Sequence, residues 1–248
     1  MERPRNPDES RAGIVLFVPR QARGPEHKLY FGLDLGQRRD HSALVAVQLG
    51  WEALGQCPVT FAQRFRPELE IRSLDRFPLG TCYDGLSGVV LDRVAEAAGA
   101  CASAPDQHLI IDAGGPGPPV VDRLRKIAPA SLNVHPVIIT GGKGVNSLSG
   151  GYTGIPRRTL VSTVLYAIGA ASLRCVPGLA GWDNLVEELV MLRAGDTQPE
   201  DQGAHDDVVM ALALAVHAAV RDTPEILPEP RDARRAARTF GYVNRPLF

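Results

Sequence analysis

Four aspartates stand where an apolar element begins or ends, and these are the residues best placed to do chemistry. Asp34 closes "LYFGLD", Asp112 closes "HLIID", and the adjacent Asp206 and Asp207 open "VVMALALAVHAAV". From Val208 to Val220 that last run has a single polar residue, His217. A helix apolar on every side belongs in a core. Its two leading carboxylates are therefore held against the interior, where each needs a partner or a cation. Taken singly, every one of these acids has an ordinary explanation, since acids end strands and Asp is a favoured N-cap. Gathered at one end of a sheet they would repel one another strongly at neutral pH. Oxygen donors of this kind suit Mg²⁺ or Mn²⁺, and a pair of such ions is suited to phosphodiester hydrolysis.

The elements that must position the acids follow from hydrophobic periodicity and turn residues. "LYFGLDLGQ" and "HSALVAVQLGW" read as two strands joined by the polar turn Gln37-Arg38-Arg39-Asp40. A third strand is expected near Val59–Arg66 and a helix over 85–101. "HLIIDAGG" reads as a buried strand ending in an acid and glycines, followed by a helix over 117–127 and the strand "VHPVIIT". "GGKGVNSLSGGYTG" is a Gly/Ser loop, and helices are expected at 157–171, 182–193 and 206–220. Strands first as a meander, then alternating with helices, predict an α/β fold with a mixed five-stranded sheet and helices on both faces. The chain divides into a flexible N-terminus over 1–12, one domain over 13–222 and a Pro/Arg-rich tail over 223–248. His217 is expected in the core, and Glu187 and Glu188 on the solvated face of the penultimate helix.

Composition restrains the choice of partners. A formal net charge of −1 over 248 residues gives no global attraction to nucleic acid or membrane, so any anion-binding surface must be local. The 24 Arg against 3 Lys fit a GC-rich gene as well as phosphate recognition. Cys57, Cys82, Cys101 and Cys175 are scattered, with no CxxC pair, and read as reduced thiols. No apolar run approaches the ~18 residues of a membrane span, and the polar start lacks a signal peptide, so a cytoplasmic protein is expected. Arg157 and Arg158 fall in the first turn of a helix, where the macrodipole disfavours cations. An anion nearby, DNA phosphate or the carboxylate cluster, would account for them. Lys143, in its glycine loop, is either a phosphate contact or a solvated side chain. Asp40 is explained by turn chemistry, and His205 would orient water at the site or cap the helix behind it. Arg231, Arg234, Arg235 and Arg238 read first as a disordered solvated tail, and otherwise as added phosphate contacts or a docking segment for a partner.

The order of these motifs resembles the ribonuclease H-like nuclease domain of phage terminase large subunits, which cut concatemeric DNA during genome packaging. "LDLGQRRDHSALVAV" resembles that family's first strand, turn and second strand, and "LIIDAGGPGPPVVDRLR" its second acidic strand with the glycine turn and helix. The segment from "IPRRTL" to "VMLRA" is similar to the helix, short strand and helix that come next, and "HDDVVMALALA" to the closing signature. The resemblance runs from about Tyr30 to Val220. It implies a divalent-metal-dependent DNA endonuclease hydrolysing phosphodiesters by a two-metal mechanism. Asp34, Asp112 and the Asp206/Asp207 pair would hold Mg²⁺ or Mn²⁺; which of the pair ligates directly stays open. Asp40 matches an acid often seen in the family. The implied partners are double-stranded DNA and a separate packaging ATPase, small terminase subunit or portal protein, in the host cytoplasm.

Two departures stand out. The sequence has no GxxxxGK[ST] motif, so either the motor is a separate chain or this is a nuclease domain excised, split off or repurposed, and Arg157 stands where the family usually shows Lys. Other readings remain: a resolvase- or transposase-type nuclease of the same fold, an actin-like ATPase or sugar kinase, and a silent DNA-binding or assembly module. "FGLDLGQ" and "IIDAGG" resemble the phosphate loops of actin-like ATPases. They lack the hydroxyl-rich pattern of those loops, and that scheme leaves the HDD helix without a role.

Overall fold

The computed structural model describes residues 26–36, 40–101, 106–115, 117–195 and 206–223. The N-terminal segment 1–12, His205 and the arginines of the tail lie outside the described residues. Five long strands form first: β1 (Lys28–Asp34), β2 (Ala43–Gln56), β3 (Gln63–Arg76), β4 (Asp106–Asp112) and β5 (Leu132–Thr140). Three short ones extend the sheet: β6 (Asn146–Ser147), β7 (Thr153–Pro156) and β8 (Leu173–Cys175). The helices are α1 (Tyr83–Gly99), α2 (Gly117–Ile127), α3 (Arg157–Gly169), α4 (Trp182–Gly195) and α5 (Asp207–Asp222).

All eight strands make one mixed sheet in the order β6-β7-β5-β4-β1-β2-β3-β8. β1, β4, β5 and β7 run parallel to one another, while β2 is antiparallel to both β1 and β3 and β6 is antiparallel to β7. The carboxyl ends of β1, β4, β5 and β7 therefore share one end of the sheet, the usual place for a site in an open α/β sheet. Side chains alternate faces along a strand, and β1 shows the consequence. Leu29, Phe31 and Leu33 pack against α1 and α2, whereas Tyr30 lies in the core formed with α3, α4 and α5. Helices thus cover both faces, as the strand and helix order predicts.

The fit of α5 explains its composition. Its residues from Asp207 to Val216 are all buried, because it lies directly on the middle of the sheet. A Cβ placed on Gly32 of β1 would come 1.8 Å from the carbonyl oxygen of Ala211. Only glycine permits that approach of helix to strand.

The sheet is wider than the five strands expected, and the added strands have two to four residues each. Two of them, β6 and β7, emerge from the Gly/Ser loop, around a 3₁₀ turn at Ser149–Gly151. β3 also lies further along the chain than Val59–Arg66. It runs to Arg76, leaving Val59 and Phe61 exposed where the β2–β3 hairpin turns. Charges at Arg64, Arg66, Glu68, Glu70 and Arg72 alternate with Phe65, Leu69 and Ile71, which masks the strand's apolar character in the sequence. Among the described residues, no helix is long and apolar enough to cross a membrane.

Candidate active site

Strand register builds the first part of the site. Asp34 pairs with Ala43 on β2, and Ala43 pairs with Arg76 on β3. On the other side of β1 the parallel register pairs Leu33 with Ile111, so Asp34 and Asp112 end neighbouring strands side by side. Asp112 and Asp34 stand two residues beyond Ile110 and Gly32, on the face that α5 covers. Across the end of the sheet the row on that face therefore reads Asp112, Asp34, Ala43, Arg76. The chain leaves β1 through Gly36, whose amide donates to the Ser42 hydroxyl at 3.1 Å while its carbonyl accepts the Tyr83 hydroxyl at 2.6 Å.

The start of α5 brings the remaining acids to this row. Asp207 is 6 % exposed. Its Oδ2 accepts the His41 backbone N–H at 3.2 Å and faces Arg76 Nη2 at 3.5 Å. Asp206, at the N-cap, is ion-paired with Arg157 at the start of α3. On β4, Asp112 Oδ1 accepts the Gly114 N–H at 3.0 Å, folding the chain back toward α2. A Cβ on Gly117 would lie 3.0 Å from the Asp112 carbonyl oxygen, so glycine suits this close return.

Electrostatics show how strained this gathering of anions is. The Asp34 carboxyl is pushed well above the usual carboxylate range, first by burial and then by the charges of Asp112 and Asp207. Arg157 partly offsets the rise, and Asp40 adds to it. Asp112 is raised mainly by burial. The structure thus brings together Asp34, Asp112, Asp207 and Arg157, with Asp206 held on Arg157 and Asp40 within electrostatic reach. Arg158 and Lys143 meet beside them, where Arg158 Nη2 donates to the Lys143 carbonyl oxygen at 3.3 Å and both side chains are exposed.

An oxygen-only donor set that repels itself in a half-buried end of a sheet fits a hard divalent cation. Among the described residues, however, no three acidic, histidine or cysteine side chains converge into a ready-made metal-binding group. The acids are instead met by Arg157 and Arg76, which supply internal positive charge.

Glu188 corrects the reading of α4. Glu187 is exposed as expected, but Glu188 is 6 % exposed. Its Oε2 accepts the backbone N–H groups of Val208 and Val209 at 2.9 and 3.0 Å. Those are the two amides an N-cap side chain would take, and Asp206 makes no side-chain cap bond. The ordinary N-cap explanation of Asp206 therefore fails, because the capping is done from α4. Leu185, Glu188, Leu189 and Leu192 recur at i, i+3, i+4 and i+7, so the apolar stripe of α4 already contained Glu188. Burial and the neighbouring charge of Asp207 raise the Glu188 carboxyl, against the two amides and Arg76.

With this geometry in place, the chain can be set beside known proteins. No protein-family model matches it, and no curated protein does. Solved structures do. The nuclease domain of the human cytomegalovirus terminase is similar over 82% of this chain and 88% of its own length, at 12% identity and a TM-score of 0.51. The large terminase nuclease from thermophilic phage G20c matches 78% of this chain and 83% of its own, at 17% identity and a TM-score of 0.43. The chain thus has the fold of terminase nuclease domains, a ribonuclease H-like mixed sheet covered on both faces.

Proposed function

We propose that this chain is a divalent-metal-dependent DNA endonuclease of the terminase type. The observation that carries the reading is that β1, β4 and α5 each bring an aspartate, Asp34, Asp112 and Asp207, to one end of the sheet, where burial and then the charges of the other two raise Asp34. Self-repulsion of this kind is costly to a fold and is explained by a cation that the acids serve. Asp34, Asp112, Asp206 and Asp207 would hold Mg²⁺ or Mn²⁺, and four carboxylates suffice for two ions. Such ions supply Lewis-acid activation of water and charge neutralisation at the scissile phosphate.

The chain's own residues do the rest. Asp34 and Asp112 are fixed by the strand register, so their spacing depends on the sheet and not on loops. Arg157, exposed on one side, pairs with Asp206 and is placed to exchange that carboxylate for a phosphate oxygen as DNA enters. Arg158 and Lys143 extend the positive surface along the backbone of a duplex. Nothing in this arrangement reads bases, so specificity would come from partners that present the DNA. A packaging ATPase, small terminase subunit or portal protein would fill that role.

The test is cleavage of supercoiled plasmid by the purified chain in Mn²⁺, Mg²⁺ or EDTA, with Asp112→Asn alongside. Nicking or linearisation that needs the metal and falls at least about 100-fold in the variant is expected, since removing a ligand removes the transition-state stabilisation it anchors. A folded protein inert with every metal, alone and with a motor chain added, would instead mark a silent DNA-binding or assembly module.

A further inference from the structure

We infer that Glu188 and Arg76 are positioning residues of this site, which hold Asp206 and Asp207 toward the sheet and away from the end of their own helix. The inference deepens the nuclease reading, on which its metal-binding arm rests. Asp206 is at the N-cap and Asp207 is the first residue of α5, the two places from which an aspartate most readily bonds helix amides. A carboxylate turned back onto those amides faces its own helix and not the row formed by Asp34 and Asp112. Glu188 prevents this by occupying the Val208 and Val209 amides from a different helix.

Arg76 acts on the other side. It stands in the row with Asp34, meets Asp207 Oδ2 at 3.5 Å, and its charge is felt by Glu188 as well. Arg76 Nε and Glu188 Oε1 are both buried without a hydrogen-bond partner. Unsatisfied buried atoms are uncommon and call for an explanation. Here they belong to a polar layer in which Glu188 Oε2 is committed to α5 and Arg76 Nη2 to Asp207. The His41 amide, which donates to the same Asp207 oxygen, reports where that carboxylate stands.

The experiment compares Glu188→Ala, Glu188→Gln and Arg76→Ala in the full chain. The readouts are the amide resonances of His41, Val208 and Val209 and Mn²⁺ binding by calorimetry. In Glu188→Ala, the carboxylates of Asp206 and Asp207 are expected to turn onto the vacated amides, so the melting temperature changes little. The His41 resonance moves, and Mn²⁺ affinity falls roughly 10- to 100-fold, as for other outer-layer partners of metal ligands. Glu188→Gln, which keeps one accepting oxygen, restores part of the affinity, and Arg76→Ala loses it with the Val208 and Val209 amides undisturbed. Should Glu188→Ala fail to fold, Glu188→Gln decides by the same two readouts. A His41 resonance unmoved in the Glu188 variants, or Mn²⁺ affinity equal to that of the unaltered chain, overturns the inference and leaves Glu188 a cap alone. If the unaltered chain takes up no Mn²⁺, the nuclease reading fails, and the His41 resonance then decides the positioning claim by itself.

Discussion

Asp34 is the acid whose surroundings least favour its charge, which separates its effect on stability from its proposed effect on catalysis. For a carboxyl raised in the folded state, the stabilising contribution is complete below the ordinary Asp value of 3.8 and is lost as pH rises through the folded value. At pH 8 without divalent ions the folded protein therefore carries a penalty that is absent below the ordinary Asp value. Asp34→Asn is expected to melt a few degrees higher there, where ~1 kcal/mol corresponds to roughly 2–4 °C. The advantage should shrink as pH is lowered toward 4, and cleavage should be abolished throughout. Thermal melts of both proteins across that range check it; a variant less stable at pH 8 contradicts the picture of mutual repulsion. The placement of Asp34, Asp112, Asp206 and Asp207 at element ends is legible in the sequence because each adjoins an apolar run. That of Arg76 and Glu188 is not. Arg76 lies at the end of a strand whose alternating charges disguise it. The charge of Glu188 points to a solvated face, whereas its spacing with Leu185 and Leu192 places it on the buried side of α4.

The contact of α5 with β1 is the interface on which the site depends. A methyl group at Gly32 cannot be accommodated 1.8 Å from a backbone carbonyl oxygen, so Gly32→Ala must displace α5 as a whole. The cost is expected at the upper end of overpacking, about 3 kcal/mol, or roughly 6–12 °C in melting temperature. Cleavage should fall more steeply than folded fraction, because the displacement carries Asp207 away from Asp34. Circular dichroism melts with plasmid cleavage on the same samples measure the two effects separately. Element boundaries for α2 and α5 follow the sequence to within a residue or two, since a glycine opens α2 and the aspartate pair marks where the apolar run of α5 begins. The short strands β6, β7 and β8 do not, because strands of two to four residues carry too little periodicity to be read.

At the scale of the whole molecule, the two ends of the sheet respond to pH in opposite senses. Beyond the far end of α5, the Tyr30 hydroxyl donates to Asp222 at 3.1 Å, and His108 stacks on Tyr30 with ring centroids 5.1 Å apart. His108 Nδ1 lies 3.1 Å from His135 Nε2, and its Nε2 lies 3.0 Å from Asp106. Burial first, then the charges of His108 and Arg221, lower the pKa of His135; burial and Arg221 lower that of His217. A histidine lowered in the folded state adds stability above its ordinary value of 6.5, lost as pH falls from there through its folded value. Between pH 7 and 5 the two histidines therefore remove stability while Asp34 returns it, and His217→Leu should make the acid limb less steep than in the parent while leaving the alkaline side unchanged. Melting temperatures measured from pH 5 to 9 in EDTA would show the dome, and an acid limb as steep in the variant as in the parent would refute the assignment. The abutment of Gly32 on Ala211 has a consequence for how such a molecule can change over evolutionary time. Main chain, and not the acids, sets the aim of α5. Reactive groups at its tip can thus be exchanged or erased by single substitutions while the framework persists. A lineage built on this frame is free to acquire a new chemistry, or to fall silent, without first having to invent a new shape.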